Sequence, residues 1–124
     1  MKLEHIAVTI SEAKEIKDFY INILGMKEVK TFVLNKVLAQ KVFGINNNTS
    51  AFFLQKDDLF LEIFVTDEKL KQGFNHICLS VKERETLVTK AETQNYECLR
   101  IKREIFDLIF LKDKSGNIFE IKEI

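Results

Sequence analysis

The sequence predicts an α+β fold made of two tandem copies of one βαβββ module. HIAVTI at residues 5–10 is repeated as HICLSV at 76–81, and LEI at 61–63 is repeated as FEI at 119–121. An internal repeat gives equivalent residues equivalent places in two structural units. Each unit then contributes one histidine and one glutamate at matching strand positions.

The length limits the number of domains. The chain has 124 residues, 46% of them hydrophobic, which suffices for one compact domain but not for two independent ones. We therefore expect a single domain over residues 1–124, with module 1 at about 1–66 and module 2 at about 73–124. The joint between them is expected in the segment 67–73, which ends at Gly73.

The first module is predicted to begin with a strand and a helix. Apolar residues alternate from residue 3 to residue 10, which is the period of a strand. One face of this strand holds Ile6, Val8 and Ile10, and the other holds His5, Ala7 and Thr9. Apolar residues then recur at helical spacing between Ser11, a helix N-cap residue, and Gly25, a C-cap glycine.

The remaining elements follow from alternation, turn residues and short apolar stripes. In module 1 they are a strand at 28–34, a short helix at 35–43 closed by Gly44, and strands at 51–55 and 59–65. In module 2 they are a strand at 74–81, a helix near 83–93, and strands near 97–101, 107–111 and 117–122.

The two histidines of the chain, His5 and His76, occupy the same place in the repeat, and so do Glu62 and Glu120. Two neutral imidazoles and two carboxylates suit a divalent metal such as Ni, Zn, Co, Mn or Fe, with positions left open for water or substrate. The alternative for each histidine is a structural role, and for each glutamate an outward position on an alternating strand. The coincidence of all four positions favours the metal site.

Composition excludes several other classes of protein. Nineteen basic and nineteen acidic residues cancel, which removes the electrostatic basis for binding nucleic acid or an anionic membrane. No long apolar run and no signal-peptide order is present. Cys78 and Cys98 lack a CxxC spacing, so we expect reduced thiols in a cytoplasmic protein, each buried as a small hydrophobic residue.

The motifs also support a resemblance to a known family. His5, LEIF at 61–64, GFNHICLSV at 73–81 and FLKDKSGNIFEI at 110–121 resemble the vicinal oxygen chelate superfamily, which includes glyoxalase I and methylmalonyl-CoA epimerase. The family's usual DPDGN turn stands here as DKSGN at 113–117, with Lys114 in place of the proline. The resemblance implies paired βαβββ modules in a cupped eight-stranded mixed sheet, a homodimer, and His5, Glu62, His76 and Glu120 as metal ligands.

Within that superfamily, four intact ligands favour the isomerases, lyases and epimerases. They weigh against the bleomycin-resistance type, which binds drugs without metal, and against extradiol dioxygenases and fosfomycin-resistance enzymes, which use a His/His/Glu triad. The implied reaction is removal of a proton next to a carbonyl of a small molecule, with Glu120 alternating between metal ligand and general base. A non-catalytic small-molecule binder, or a metal-dependent thiol transferase or dioxygenase, is the alternative.

Five further residues are candidates for substrate contact. Glyoxalase I carries a basic residue four positions after its first histidine for glutathione, and Thr9 in that place argues against glutathione here. Phe60 and Phe64 share a strand face with Glu62 and are predicted as pocket walls. Ser80 is a small residue on the face of His76, and Arg100 is a candidate for a substrate carboxylate or phosphate, the alternative being a solvated strand edge.

Overall fold

A computed structural model describes residues 4–69 and 76–124 of the chain. The chain divides into two compact units, Met1–Lys71 and Gln72–Ile124. The expected joint at Gly73 and the predicted start of the second repeat at 74–75 lie outside the described residues.

The first unit contains one four-stranded mixed sheet. Its strands are β1 (Ile6–Ile10), β2 (Lys27–Leu34), β3 (Thr49–Lys56) and β4 (Leu59–Val65). Their order in the sheet is β1-β4-β3-β2, with β1 parallel to β4 and the other pairs antiparallel.

The second unit repeats this topology. Its strands are β5 (Ile77–Val81), β6 (Glu97–Ile101), β7 (Leu108–Lys112) and β8 (Ile118–Glu123). The order is β5-β8-β7-β6, and again only the outer pair, β5 with β8, is parallel. The two βαβββ modules predicted from the repeat are therefore confirmed, with the eight strands divided between two four-stranded sheets.

The helix predicted after β1 is present but differs in type. Its centre, Ile16–Ile21, is π-helical, since the N–H groups of Asn22 and Leu24 bond to carbonyls five residues earlier. It begins some residues after Ser11, whereas Gly25, at φ +71°, does end the helical stretch. The predicted apolar face is buried, and it comprises Ile16, Phe19, Tyr20, Ile23 and Leu24. The spacing of apolar residues predicts which face of a helix is buried. Over so short a segment, an α-helix and a π-helix bury the same residues, so the spacing does not distinguish them.

Two α-helices complete the fold. The helix α1 (Lys36–Phe43) begins where the side chain of Asn35 accepts a hydrogen bond from the Leu38 N–H at 2.9 Å, and it ends at Gly44, whose φ is +72°. The helix α2 (Arg84–Thr93) contacts β6 and β8. Both match the predicted segments to within a residue.

The buried core lies on one face of each sheet. In the first unit Val8, Ile10, Leu61 and Ile63 are almost inaccessible to solvent. The opposite face carries Glu62, and α1 covers one end of it, because Ala39 packs in a cluster with Ile45, Ala51 and Phe64.

The turn before β8 is closed by Asp113. Its carboxylate accepts hydrogen bonds from the backbone N–H groups of Ser115 (2.9 Å) and Asn117 (2.8 Å) and from the Asn117 side chain (2.8 Å). Lys114, at the position of the missing proline, donates to the carbonyl of Asn95 at 2.6 Å. The departure from the family's turn is thus compensated by a different contact.

Candidate metal centre

His5 and Glu62 form a pair at one edge of the first sheet. His5 directly precedes β1, and Glu62 lies on the neighbouring strand β4, where its register partner is Ala7. Because the two strands are parallel and adjacent, both side chains project from the same face. The Nε2 atom of His5 lies 3.3 Å from Oε2 of Glu62, with 42% of the His5 side chain and 16% of the Glu62 side chain exposed.

His76 and Glu120 form the same pair in the second unit. His76 directly precedes β5, and Glu120 on β8 is the register partner of Cys78, which is the counterpart of Ala7. The Nε2 atom of His76 lies 3.3 Å from Oε2 of Glu120, and the two side chains are 36% and 14% exposed. The His/Glu pair therefore has one geometry in both repeats.

A phenylalanine ring lies against the histidine of each pair, and the sequence did not predict it as a site residue. Phe53 is the register partner of Glu62, and its ring meets that of His5 edge to face at 5.5 Å between centroids. Phe110 is the register partner of Glu120, and its ring meets that of His76 in the same way at 5.9 Å. The signal was available in the repeat, since Phe-Leu at 53–54 recurs at 110–111 before a turn and the glutamate strand.

The donor atoms of each pair suit a divalent metal. Two ligands that each sit about 2.1 Å from one ion, at angles between octahedral and tetrahedral, are about 3.0 to 3.4 Å apart. The separation of 3.3 Å in both pairs lies in that range. Each pair supplies one nitrogen and one oxygen, and among residues 4–69 and 76–124 no group of three or more His, Cys, Asp or Glu side chains forms a complete site.

The surroundings of the two glutamates differ. Beyond Glu120 on β8 stands Lys122, whose Nζ lies 3.6 Å from Oε1 of the glutamate. The neighbouring Cys78 is exposed, so the expectation of a buried thiol was wrong for it. Partial desolvation, and then the Glu120 carboxylate, raise the pKa of the Cys78 thiol, while Lys122 opposes this shift. At the equivalent places the first unit has Phe64 and Ala7.

The other predicted contact residues lie on these same faces, with one exception. Phe60 stacks on Phe53 at 5.7 Å beside Glu62. Phe64 is only 3% exposed and packs against Phe43 of α1, so it supports the covered end of the face. Thr9 is the register partner of Phe64, and the exposed Ser80 is the register partner of Lys122.

Arg100 is the exception. Its register partner on β7 is Ile109, whereas Phe110, the next residue, is paired with Glu120, so Arg100 points to the opposite face of the sheet. There its guanidinium binds Glu85 of α2 at 2.5 Å and Asp107 at 3.2 Å. The placement of Arg100 beside the substrate is therefore corrected to an ion pair that fastens α2 to β6.

The two βαβββ units, each with a matching His/Glu pair, define a class of two-module folds. The family model of the Glyoxalase/Bleomycin resistance protein/Dioxygenase superfamily matches residues 2–121. The chain therefore belongs to that superfamily, as the motifs indicated. No curated protein matches the sequence significantly.

Solved structures agree on the fold. A glyoxalase family protein from Enterococcus faecalis superimposes with a TM-score of 0.73 at 21% identity, covering 97% of this chain and 95% of that one. The fosfomycin resistance protein FosX from Listeria monocytogenes gives 0.75 at 16% identity, covering 100% and 93%. A mutant of FosX complexed with Mn(II) and dihydroxypropylphosphonic acid gives 0.71 at 17% identity, covering 98% and 88%. None of the helices in the described residues is long and apolar enough to cross a membrane.

Proposed function

We propose that the protein is a metal-dependent enzyme of the glyoxalase type, an isomerase, lyase or epimerase that moves a proton next to a carbonyl of a small molecule. The observation that carries the proposal is the His/Glu pair, which recurs in both units with the same atoms 3.3 Å apart. The repeat has kept the same donor atoms, the same separation and the edge-on phenylalanine in both copies.

In this proposal His5, Glu62, His76 and Glu120 together hold one divalent ion. Ni, Zn, Co, Mn and Fe all accept mixed imidazole and carboxylate ligands, and a structural relative is complexed with Mn(II). The ion would supply Lewis acidity, polarising the substrate carbonyl and stabilising negative charge on its oxygen. We also propose that the protein forms a homodimer and is located in the cytoplasm.

The residues of the chain perform the proton transfer. Glu120 accepts the proton from the carbon next to the carbonyl on a carboxylate oxygen, and returns it to that carbon or to its neighbour. The Nε2 atom of His76 lies 3.3 Å from the other oxygen, Oε2, so both atoms can face one ion. Phe60 and Phe53 stack on each other and give the face beside Glu62 an apolar surface.

The test is solvent exchange at the reacting carbon. Protein loaded with Mn²⁺, Ni²⁺ or Zn²⁺ is incubated in deuterated water with small α-hydroxy and α-keto acids and a thioester, and deuterium uptake is followed by NMR. We expect metal-dependent exchange that Glu120→Gln reduces by at least about a hundredfold, the usual contribution of a general base. Glu97→Gln, an exposed glutamate paired with Lys112, is the matched control. Exchange that survives Glu120→Gln unchanged would overturn the assignment of the base.

Two alternatives make different predictions. A metal-dependent thiol transferase or dioxygenase on the same fold would consume a thiol or oxygen. A non-catalytic binder would instead be stabilised thermally by its ligand whether or not metal is present. Substrate turnover measured with thiol, with oxygen and without either separates these from the proton transfer.

A further inference from the structure

The faces that carry the two glutamates differ in charge. Two residues after Glu62 the chain has Phe64, which is 3% exposed beneath α1. Two residues after Glu120 it has Lys122, whose side chain is 50% exposed. Between β6 and β7 of the second unit, where every residue is described, there is no helix that corresponds to α1.

A hydroxyl group lies next to Lys122. Ser80 on β5 is its register partner across the parallel strand pair, and Ser80 is exposed. Cys78 is paired with Glu120 in the same way. An ammonium, a hydroxyl and a proposed metal-binding carboxylate therefore stand side by side on one face.

The Lys122 ammonium retains hydrogen-bonding capacity. Its distance to Oε1 of Glu120, 3.6 Å, exceeds the roughly 2.7 to 2.9 Å of a charge-assisted hydrogen bond. The other lysine on this face, Lys112 on β7, closes a 2.8 Å ion pair with Glu97. Lys122 can thus donate to an incoming anion.

We propose that Lys122 and Ser80 bind an anionic group of the substrate, a carboxylate or a phosphoryl oxygen, beside the centre at Glu120. This inference rests on the proposed function and narrows it to substrates that carry an acidic group near the reacting carbonyl. The ammonium supplies charge and up to three donors, and the hydroxyl supplies one more.

The experiment measures the binding of simple anions by calorimetry at low salt. Acetate and inorganic phosphate are the two probes, and each is titrated into metal-free and Mn²⁺-loaded protein. We expect Lys122→Met to weaken binding of the preferred anion by about tenfold in both forms, and Ser80→Ala to weaken it by about threefold. Lys112→Met, the matched control, should change neither affinity. The probe that binds more tightly shows whether the site prefers a carboxylate or a phosphoryl group.

Lys122→Arg guards against a folding defect, since it keeps the charge and should restore most of the binding lost in Lys122→Met. Anion affinities that are equal in the wild type and in Lys122→Met would overturn the inference, as would a wild type that binds neither probe. Metal content is measured on the same samples. If the protein binds metal but Lys122→Met leaves the anion affinity unchanged, the proposed function stands and the anion site is excluded. If anion binding depends on Lys122 but the protein binds no metal, only the anion site is supported.

Discussion

Each histidine of the candidate centre is held by an aromatic edge as well as by a carboxylate. His5 contacts both Phe53 and Glu62, and His76 contacts both Phe110 and Glu120. An imidazole that presents Nε2 toward its partner in the absence of metal loses less freedom on binding. Phe53 and Phe110 are therefore positioning residues for the two rings.

Removal of the Phe53 ring should weaken metal binding. An edge-to-face aromatic pair is worth about 0.5 to 1.5 kcal/mol, so we expect Phe53→Leu to lower the Mn²⁺ or Zn²⁺ affinity by about two- to tenfold. The ¹⁵N shifts of the His5 ring should also move. Phe52→Leu, on the opposite face of β3, is the control and should leave both quantities unchanged. Identical metal affinity in wild type and Phe53→Leu would remove Phe53 from this role.

The sequence predicted some of these residue positions better than others. The His/Glu positions follow from the repeat, because equivalent strand positions give equivalent geometry. The face on which a charged residue lies is harder to predict, since charge carries no information on strand register. Arg100 was misplaced for that reason: one residue along β6 reverses the face, and Glu85 on α2 was its partner.

At the scale of elements, the contact between α2 and β6 depends on pH. Arg100 lowers the pKa of the Glu85 carboxyl through a hydrogen-bonded ion pair. A carboxyl whose folded pKa is lowered stabilises the fold above its unfolded pKa, and this contribution is lost as the pH falls through the folded pKa. The pair is partly exposed, with Glu85 at 58%, so its contribution is small.

Replacing Glu85 tests this contact. We expect Glu85→Gln to lower the free energy of unfolding at pH 7 by less than about 1 kcal/mol. The difference in unfolding free energy between the wild type and Glu85→Gln should shrink as the pH falls below about 4, near the ordinary pKa of a glutamate. Urea unfolding at both pH values measures it, with the exposed Glu104→Gln as control. A difference that stays constant with pH would show that the ion pair does not hold α2.

The secondary structure was predictable where local signals agree. Asn35 and Gly44 bracket α1, and both act as caps in the structure. The covering of Phe64 by α1 was not predictable, because it depends on the packing of a helix onto the face of a sheet rather than on the helix's own sequence. The π-helical turn at 16–21 was likewise hidden, since it buries the same apolar face as an α-helix.

At the scale of the whole molecule, duplication explains both the fold and the site. Two units of the same strand order each carry a histidine, a glutamate and a phenylalanine in the same arrangement. The two units differ beside the glutamates, with α1 and Phe64 in one and Lys122 in the other. The shared part is expected to bind metal, and the divergent part to select the substrate.

Metal stoichiometry tests the central proposal most directly. Protein prepared without chelator is loaded with Mn²⁺, Zn²⁺ or Ni²⁺, and bound metal per chain is measured for the wild type and for His5→Ala, Glu62→Gln, His76→Ala and Glu120→Gln. We expect one ion per chain in the wild type and a weakened affinity in all four variants, because the proposal assigns all four residues to one ion. A protein that takes up no metal, or one that binds two ions independently so that each variant loses only one, would contradict the account.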